Sequence, residues 1–366
     1  MELNNAITSL QGYIEGCLQQ PTMQHQHLSG TGATHFLEAK LRSYYNKKYA
    51  LTFCNATTAL QTLCLAMDLN NTEILSTPLN WGGSIAPFLF HRNKLRFTSF
   101  EPDSLNLSLK DLPSAITQNT KAVLSVDFNG TPVDSEAIKT FCLQNNLFYI
   151  SDSAQSFGSY FNHKPAGYFA DAIVLSFSPG KSFFAGEGGA VITDNTTIYE
   201  KLLWYSQHPS RQKTVFGISN YNEYTPINGR MNPLSVLLLN EIFEDTFKVL
   251  KKHQNQCFQV IMLLQDNNLV QETTHIPSPS ASTFFRISLK LKPSSSLEQV
   301  RDILKQHYQP FFAEKYVPQL IPYETSFQNQ FRRRFSCSDA LIEQYKVNSS
   351  NHWLSLTYSP STVQIW

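Results

Sequence analysis

The sequence predicts an α/β fold: a large domain with a largely parallel sheet covered by helices, and a smaller α/β lobe behind it. Three observations predict this. Short apolar, β-branched runs recur from about residue 48 to 194. Helix-period stretches stand between several of them. Near residue 232 the pattern changes to one long helical segment, and a further strand and helix follow it.

Taken in order, the runs are "KYALTFC", "TEILSTP", "KLRFTSF", "AVLSVDF", "FYISDSA", "AIVLSFS" and "GAVITD". Short, nearly continuous apolar runs read as buried strands. The stretches "TTALQTLCLAMDL" (57–69) and "DSEAIKTFCLQNN" (134–146) carry helical spacing. Strands that alternate with helices build a parallel sheet with both faces covered. The segment "NPLSVLLLNEIFEDTFKVLKKHQNQCFQVIMLLQD" is too long for a helix within one compact domain and is expected to cross between two. After "IPSPSAS", the strand "TFFRISLKLK" and the helix "SLEQVRDILKQHY", with Ser296 as its cap, suit a small C-terminal lobe. The expected division is a large domain over residues 1–240, including the N-terminal segment, and a small one over 241–366.

Composition narrows the partners. The 366 residues are 42% hydrophobic, enough for a sizeable core. Lys plus Arg (29) nearly balance Asp plus Glu (28), so no strong field gathers nucleic acid or an anionic membrane. The N-terminus lacks a basic start with an apolar run, and no stretch of about 18 apolar residues occurs. A soluble, cytoplasmic protein is expected. The six cysteines show no close pairs of the kind zinc or redox motifs use and read as reduced, mostly buried thiols.

The stretch "SFSPGKSFFAGEGGA" (176–190) sets Lys181 just past a strand. A phosphate-binding loop would need glycine at position 175, which is Leu175. A lysine in water is the ordinary fate of this residue type. Here the position argues otherwise, because ligands of open α/β sheets bind outside the carboxyl ends of strands. "FYISDSAQSFG" brings Asp152 and Gln155 to the same edge, and "LTFCNATTAL" runs from a strand into a helix start that favours an anion. An amine for a Schiff base, a buried carboxylate and an anion-holding helix start are what pyridoxal 5'-phosphate requires.

On "SDSAQSFG" and "SFSPGKSFFAGEGGAVITD", the chain resembles the DegT/DnrJ/EryC1/StrS sugar aminotransferases over about residues 28–360. The resemblance implies the fold type I architecture of pyridoxal phosphate enzymes, with a mostly parallel, mixed seven-stranded sheet between helices. It implies Lys181 and Asp152 as catalytic residues, Lys181 carrying the cofactor and Asp152 facing its ring nitrogen. Gln155 would contact the ring. Ser176 and the turn of Ala56, Thr57 and Thr58 would bind the phosphate. Trp81, in "TPLNWGGS", would lie against the ring, although an indole is also ordinary core or interface material. Asn228, in "INGRMNP", would reach the phosphate of a neighbouring subunit, which requires a homodimer with shared sites; an Asn-Gly pair is also a turn signal in its own right. Glu187 is read as part of a tight turn, and Asp127, where many relatives have histidine, has no assigned role.

The implied reaction moves an amino group from glutamate or glutamine to a nucleotide-linked keto sugar, for an amino sugar of a surface polysaccharide or natural product. The chain departs from the family pattern at Ala56, Asn80, His208-Pro209, "YVPQL" and the final "TYSPSTVQIW". These departures bear on the acceptor. A keto-cyclitol or other non-sugar ketone is an alternative, and so is a non-catalytic cofactor- or sugar-binding regulatory protein. Sugar dehydration goes with histidine in place of the lysine, and Lys181 argues against it.

Overall fold

The computed structural model describes residues 3–19, 26–217, 227–273, 280–307, 311–316, 335–338, 341 and 353–358. All seven expected strands form: β1 (Tyr49–Phe53), β2 (Glu73–Ser76), β3 (Lys94–Phe97), β4 (Thr120–Val126), β5 (Phe148–Asp152), β8 (Ala172–Ser176) and β9 (Gly189–Thr193). Between β5 and β8 lies a small hairpin of β6 (Tyr160–Phe161) and β7 (Lys164–Pro165). The C-terminal region adds β10 (Val270–Thr273), β11 (Ile287–Leu291), β12 (Phe311–Tyr316), β13 (Phe335–Cys337) and β14 (Trp353–Tyr358). β13 was not anticipated. It joins the edge of the main sheet parallel to β3, giving eight strands in the order β1-β9-β8-β5-β4-β2-β3-β13. A three-residue strand paired across more than 200 residues of sequence leaves no periodicity to read.

Among the described strands of this sheet, only β9 runs against the others. It pairs antiparallel with both β1 and β8, and the ladders from β8 through β5, β4, β2 and β3 are parallel. The carboxyl ends of six of the seven expected strands therefore share one edge. Successive strand residues serve opposite faces, and both faces are buried. Ile150 and Val174 pack with Leu60 and Leu63, whereas Tyr149 and Ile173 pack with Leu37, Leu41 and Leu239.

The long helix spans Pro233–Asp266 and starts on an Asn232 cap. Its first part gives Val236, Leu239 and Phe243 to the main core. Its last part gives Cys257, Val260 and Leu264 to a separate cluster with Leu289, Val300 and Leu304. The second cluster lies on a four-stranded antiparallel sheet, β10-β11-β14-β12. The Leu297–His307 helix opens with a reciprocal cap: Gln299 N–H donates to Ser296 Oγ, and Ser296 N–H to Gln299 Oε1. Cys64 and Cys142 are buried, and burial pushes both thiols up, Cys142 to about 12. Among the described residues, no helix is long and apolar enough to cross a membrane.

Candidate active site

The site is built where strand ends meet. Phe53 at the end of β1 faces Gly189, and Gly189 faces Ser176 at the end of β8. Asp152 ends β5, opposite Val174 on one side and Val126 on the other. Gly189 admits no side chain, because a Cβ there would stand 2.7 Å from the Ala56 nitrogen and 2.8 Å from the Leu175 carbonyl. This closeness sets the Ala56–Ala66 helix start against the ends of β8 and β9. Asn55 caps that helix by accepting from Thr58 N–H at 2.7 Å, which leaves Ala56 and Thr57 as its free first-turn donors. Ser176 is buried, with its hydroxyl 3.0 Å from that of Ser178. Backbone donors, the helix dipole and hydroxyls give this place the chemistry to hold an anion.

Segment 227–230 borders the same place. Cys54 N–H donates to the Gly229 carbonyl at 2.7 Å, and Asn228 next to it is exposed. Trp81 caps the Gly82–Phe90 helix and is 74% exposed. A Cβ at Gly83 would lie 2.8 Å from Thr57 Oγ1 and 3.0 Å from the indole, so Trp81 and Thr57 flank one narrow space.

Asp152 is buried. Its carboxylate accepts from Ala154 N–H at 3.1 Å and from the Ser84 hydroxyl, and no basic side chain among the described residues forms an ion pair with it. Burial raises its pKa, against the pull of Ser84, Ala154 and Lys181. Lys181 is half-buried, with Nζ 4.5 Å from the Phe285 ring centroid. Burial lowers its pKa, Asp152 raises it, and the Arg286 charge lowers it again. The loop is pinned beyond the lysine: Ser182 Oγ donates to the Phe157 carbonyl at 2.7 Å, and Phe183 stacks on Phe157 at 4.8 Å. Glu187 is exposed in the turn that leads to β9.

Gln155 Oε1 accepts from Asn129 N–H at 2.8 Å, and its carbonyl accepts from Thr283 Oγ1 at 2.8 Å. Asp127, fully buried just past β4, accepts from Val133 N–H at 2.9 Å and from the Ser153 and Ser156 hydroxyls at 2.7 Å each. Burial pushes its carboxyl up to about 6 against those hydrogen bonds, with a further upward push from Asp152. Ser84, Phe285 and Arg286 were not singled out in the sequence. Ser84 sits in the "WGGS" stretch that drew notice for Trp81. The other two fall within "TFFRISLKLK", which reads as strand throughout, whereas β11 starts only at Ile287. Of the departures from the family pattern, Val317–Leu320 and residues 359–366 lie outside the described residues.

The profile of the DegT/DnrJ/EryC1/StrS aminotransferase family matches residues 17–347. The chain is 28% identical over 268 residues to the UDP-4-amino-4,6-dideoxy-N-acetyl-beta-L-altrosamine transaminase of Helicobacter pylori, covering 70% of each chain. It is 26% identical to the GDP-perosamine synthase of Escherichia coli O157:H7, over 76% of this chain and 78% of that one. In fold it is similar to a DegT DnrJ EryC1 StrS aminotransferase from Brucella abortus, with a TM-score of 0.79 at 18% identity, covering 99% of this chain and 93% of that one. The chain belongs to the DegT/DnrJ/EryC1/StrS aminotransferase family.

Proposed function

We propose that the protein is a pyridoxal phosphate-dependent aminotransferase that moves an amino group from glutamate or glutamine to a nucleotide-linked keto sugar. One observation carries the reading: Asp152 is a buried carboxylate with no basic side chain paired to it among the described residues, at the strand edge that also holds a partly desolvated lysine and a helix start with free N–H donors. Ala154 N–H and the Ser84 hydroxyl are neutral donors, so the buried charge of this carboxylate is left for a positive partner, and a protonated ring nitrogen is one. The residues present therefore fit the cofactor. When bound, it supplies an aldehyde for a Schiff base and a protonated ring that withdraws electrons from a substrate carbon.

Each residue has a distinct task in this reading. Lys181 tethers the aldehyde and, once released, holds or moves a proton at Nζ. A lysine does so only when part of it is neutral, and burial favours the neutral form. Asp152 holds the proton on the ring nitrogen. Ala56, Thr57 and Thr58, with Ser176, receive the phosphate, and Asn228 extends toward the phosphate in a partner subunit of a homodimer. Trp81 covers the ring, and Gln155 borders it while fastening the Asn129 and Thr283 segments. The division into a PLP-binding domain over residues 1–240 and a small domain over 241–366 belongs to the same reading. Its support is the separate apolar cluster from Cys257 onward, while Phe243 and β13 pack with the main core and sheet. A cytoplasmic location belongs to it as well.

The keto-sugar acceptor rests on what the relatives are named for: one is a transaminase of a UDP-linked amino sugar and the other a GDP-perosamine synthase. The test is borohydride reduction of the holoprotein followed by peptide mass analysis, with turnover assayed on a panel of nucleotide-linked keto sugars. Label on the Lys181 peptide and amination of at least one sugar are expected. Label elsewhere, or a holoprotein that no amino donor changes, would sink the proposal.

A further inference from the structure

We infer that Arg286 binds the α-carboxylate of the amino donor, an assignment that rests on the aminotransferase reading above. Arg286 stands in the irregular segment before β11, and that segment is fastened to the rim of the site. Thr283 N–H donates to Ser159 Oγ at 2.8 Å, Thr283 Oγ1 donates to the Gln155 carbonyl at 2.8 Å, and Ser282 Oγ to the Gly130 carbonyl at 2.9 Å. Asn129 Nδ2 donates to Ser288 Oγ at 2.7 Å. Phe284 adopts φ +50, a left-handed turn that is costly for a bulky residue and breaks the strand just before Phe285 and Arg286. A Cβ at Gly130 would approach the Phe285 nitrogen to 3.0 Å, so the bulk-free residue lets this turn sit close.

The Phe285 ring carries two cations. Lys181 Nζ is 4.5 Å from its centroid and the Arg286 guanidinium carbon 5.9 Å. Arg286 is half-buried, and no hydrogen bond or ion pair engages its guanidinium among the described residues. Its charge reaches Lys181, opposing protonation there. Two neighbouring, partly desolvated cations with no protein anion on the arginine among the described residues leave a place for a ligand anion. A guanidinium fork matches a carboxylate bidentately.

The chemistry selects which anion. In an amino acid, the carboxylate is one bond from the carbon whose nitrogen exchanges with that of Lys181, so it must come to rest beside the lysine. The diphosphate of a nucleotide sugar is many bonds from the reacting ketone, and the cofactor phosphate has its own place at the Ala56 helix start. The donor carboxylate alone is held this close to Nζ by its own covalent structure.

The test compares wild-type, Arg286→Gln and Arg286→Lys holoproteins. Glutamate and γ-aminobutyrate, which lacks the α-carboxylate, are compared as donors by the rate of the cofactor's spectral change. Glutarate binding is measured separately by calorimetry. Arg286→Gln is expected to reduce the glutamate preference and the glutarate affinity roughly 10- to 100-fold, the worth of a charge-assisted contact, with partial recovery in Arg286→Lys. An active wild type whose donor preference and glutarate affinity survive Arg286→Gln within twofold overturns the assignment alone. A wild type that accepts no amino donor overturns the aminotransferase reading and this inference together.

Discussion

Asp127 and Asp152, at the ends of adjacent strands, are joined through the backbone, the Asp127 N–H donating to the Asp152 carbonyl at 3.2 Å. The two carboxylates face different partners. Asp152 takes Ala154 N–H and Ser84, whereas Asp127 draws the hydroxyls of Ser153 and Ser156 inward and so sets the turn that follows Asp152. The pair explains how a tight loop after β5 holds its shape through hydroxyl and backbone donors.

Asp127 should betray itself in the pH dependence of stability. Its folded pKa is raised from 3.8 to about 6. The folded state therefore binds the proton more tightly than the unfolded chain, and the stability this contributes is full below 3.8 and lost as pH rises through about 6. Wild type should lose on the order of 1 kcal/mol relative to Asp127→Asn between pH 5 and pH 8. Thermal unfolding of both proteins at the two pH values measures this; a difference independent of pH would show that Asp127 does not titrate in this range.

Lys181→Ala should abolish transamination and leave no borohydride label on that peptide. In wild type, the limb of the donor half-reaction that reports the free amine should fall below the ordinary lysine value of 10.5, because burial outweighs the attraction of Asp152. The rate should climb as pH rises along that limb, since only the neutral amine accepts a proton. A limb at the ordinary value would mean that Nζ is solvated during the reaction.

Asp152→Asn should still bind cofactor but turn over roughly 10- to 1,000-fold more slowly, the effect of losing an opposite charge that holds a nearby group protonated by one to three pKa units. Asparagine keeps the shape and can still accept from Ala154 and Ser84. Cofactor retention measured by absorbance, set beside kcat, separates the charge from the packing, and an unchanged kcat would assign ring protonation to another group.

The main sheet was legible because its strands are buried on both faces and so appear as apolar runs. The placement of Lys181 and Asp152 at one strand edge was legible because each follows an apolar run and is bounded by small residues. Ser296 was likewise legible as the cap of the helix that follows it. The hydrogen bonds from Ser153 and Ser156 to Asp127 were not legible, since they join positions 26 and 29 residues apart through side chains that look like ordinary loop serines. Arg286 was hidden by an apolar run that continues past the true strand start, and only the turn at Phe284 separates the two. β13 was hidden by its length.

Gly189 offers the sharpest test of how the fold makes the anion site. Its Cβ position is closed by backbone on two sides, the Ala56 nitrogen at 2.7 Å and the Leu175 carbonyl at 2.8 Å, and backbone cannot swing away as a flexible side chain can. Gly189→Ala must therefore push the helix start away from β8 and β9. The expected cost is about 1 to 3 kcal/mol of stability, the usual range for overpacking, together with weaker binding of pyridoxal phosphate, because the donors of Ala56 and Thr57 move relative to Ser176. Gly12, in the Leu3–Gln19 helix, has nothing within 4 Å of its Cβ position, so Gly12→Ala serves as the matched control and should be neutral or mildly stabilising. Thermal unfolding and cofactor titration of both variants decide the matter: if Gly189→Ala loses stability but binds cofactor as tightly as wild type, the phosphate is not held at this helix start.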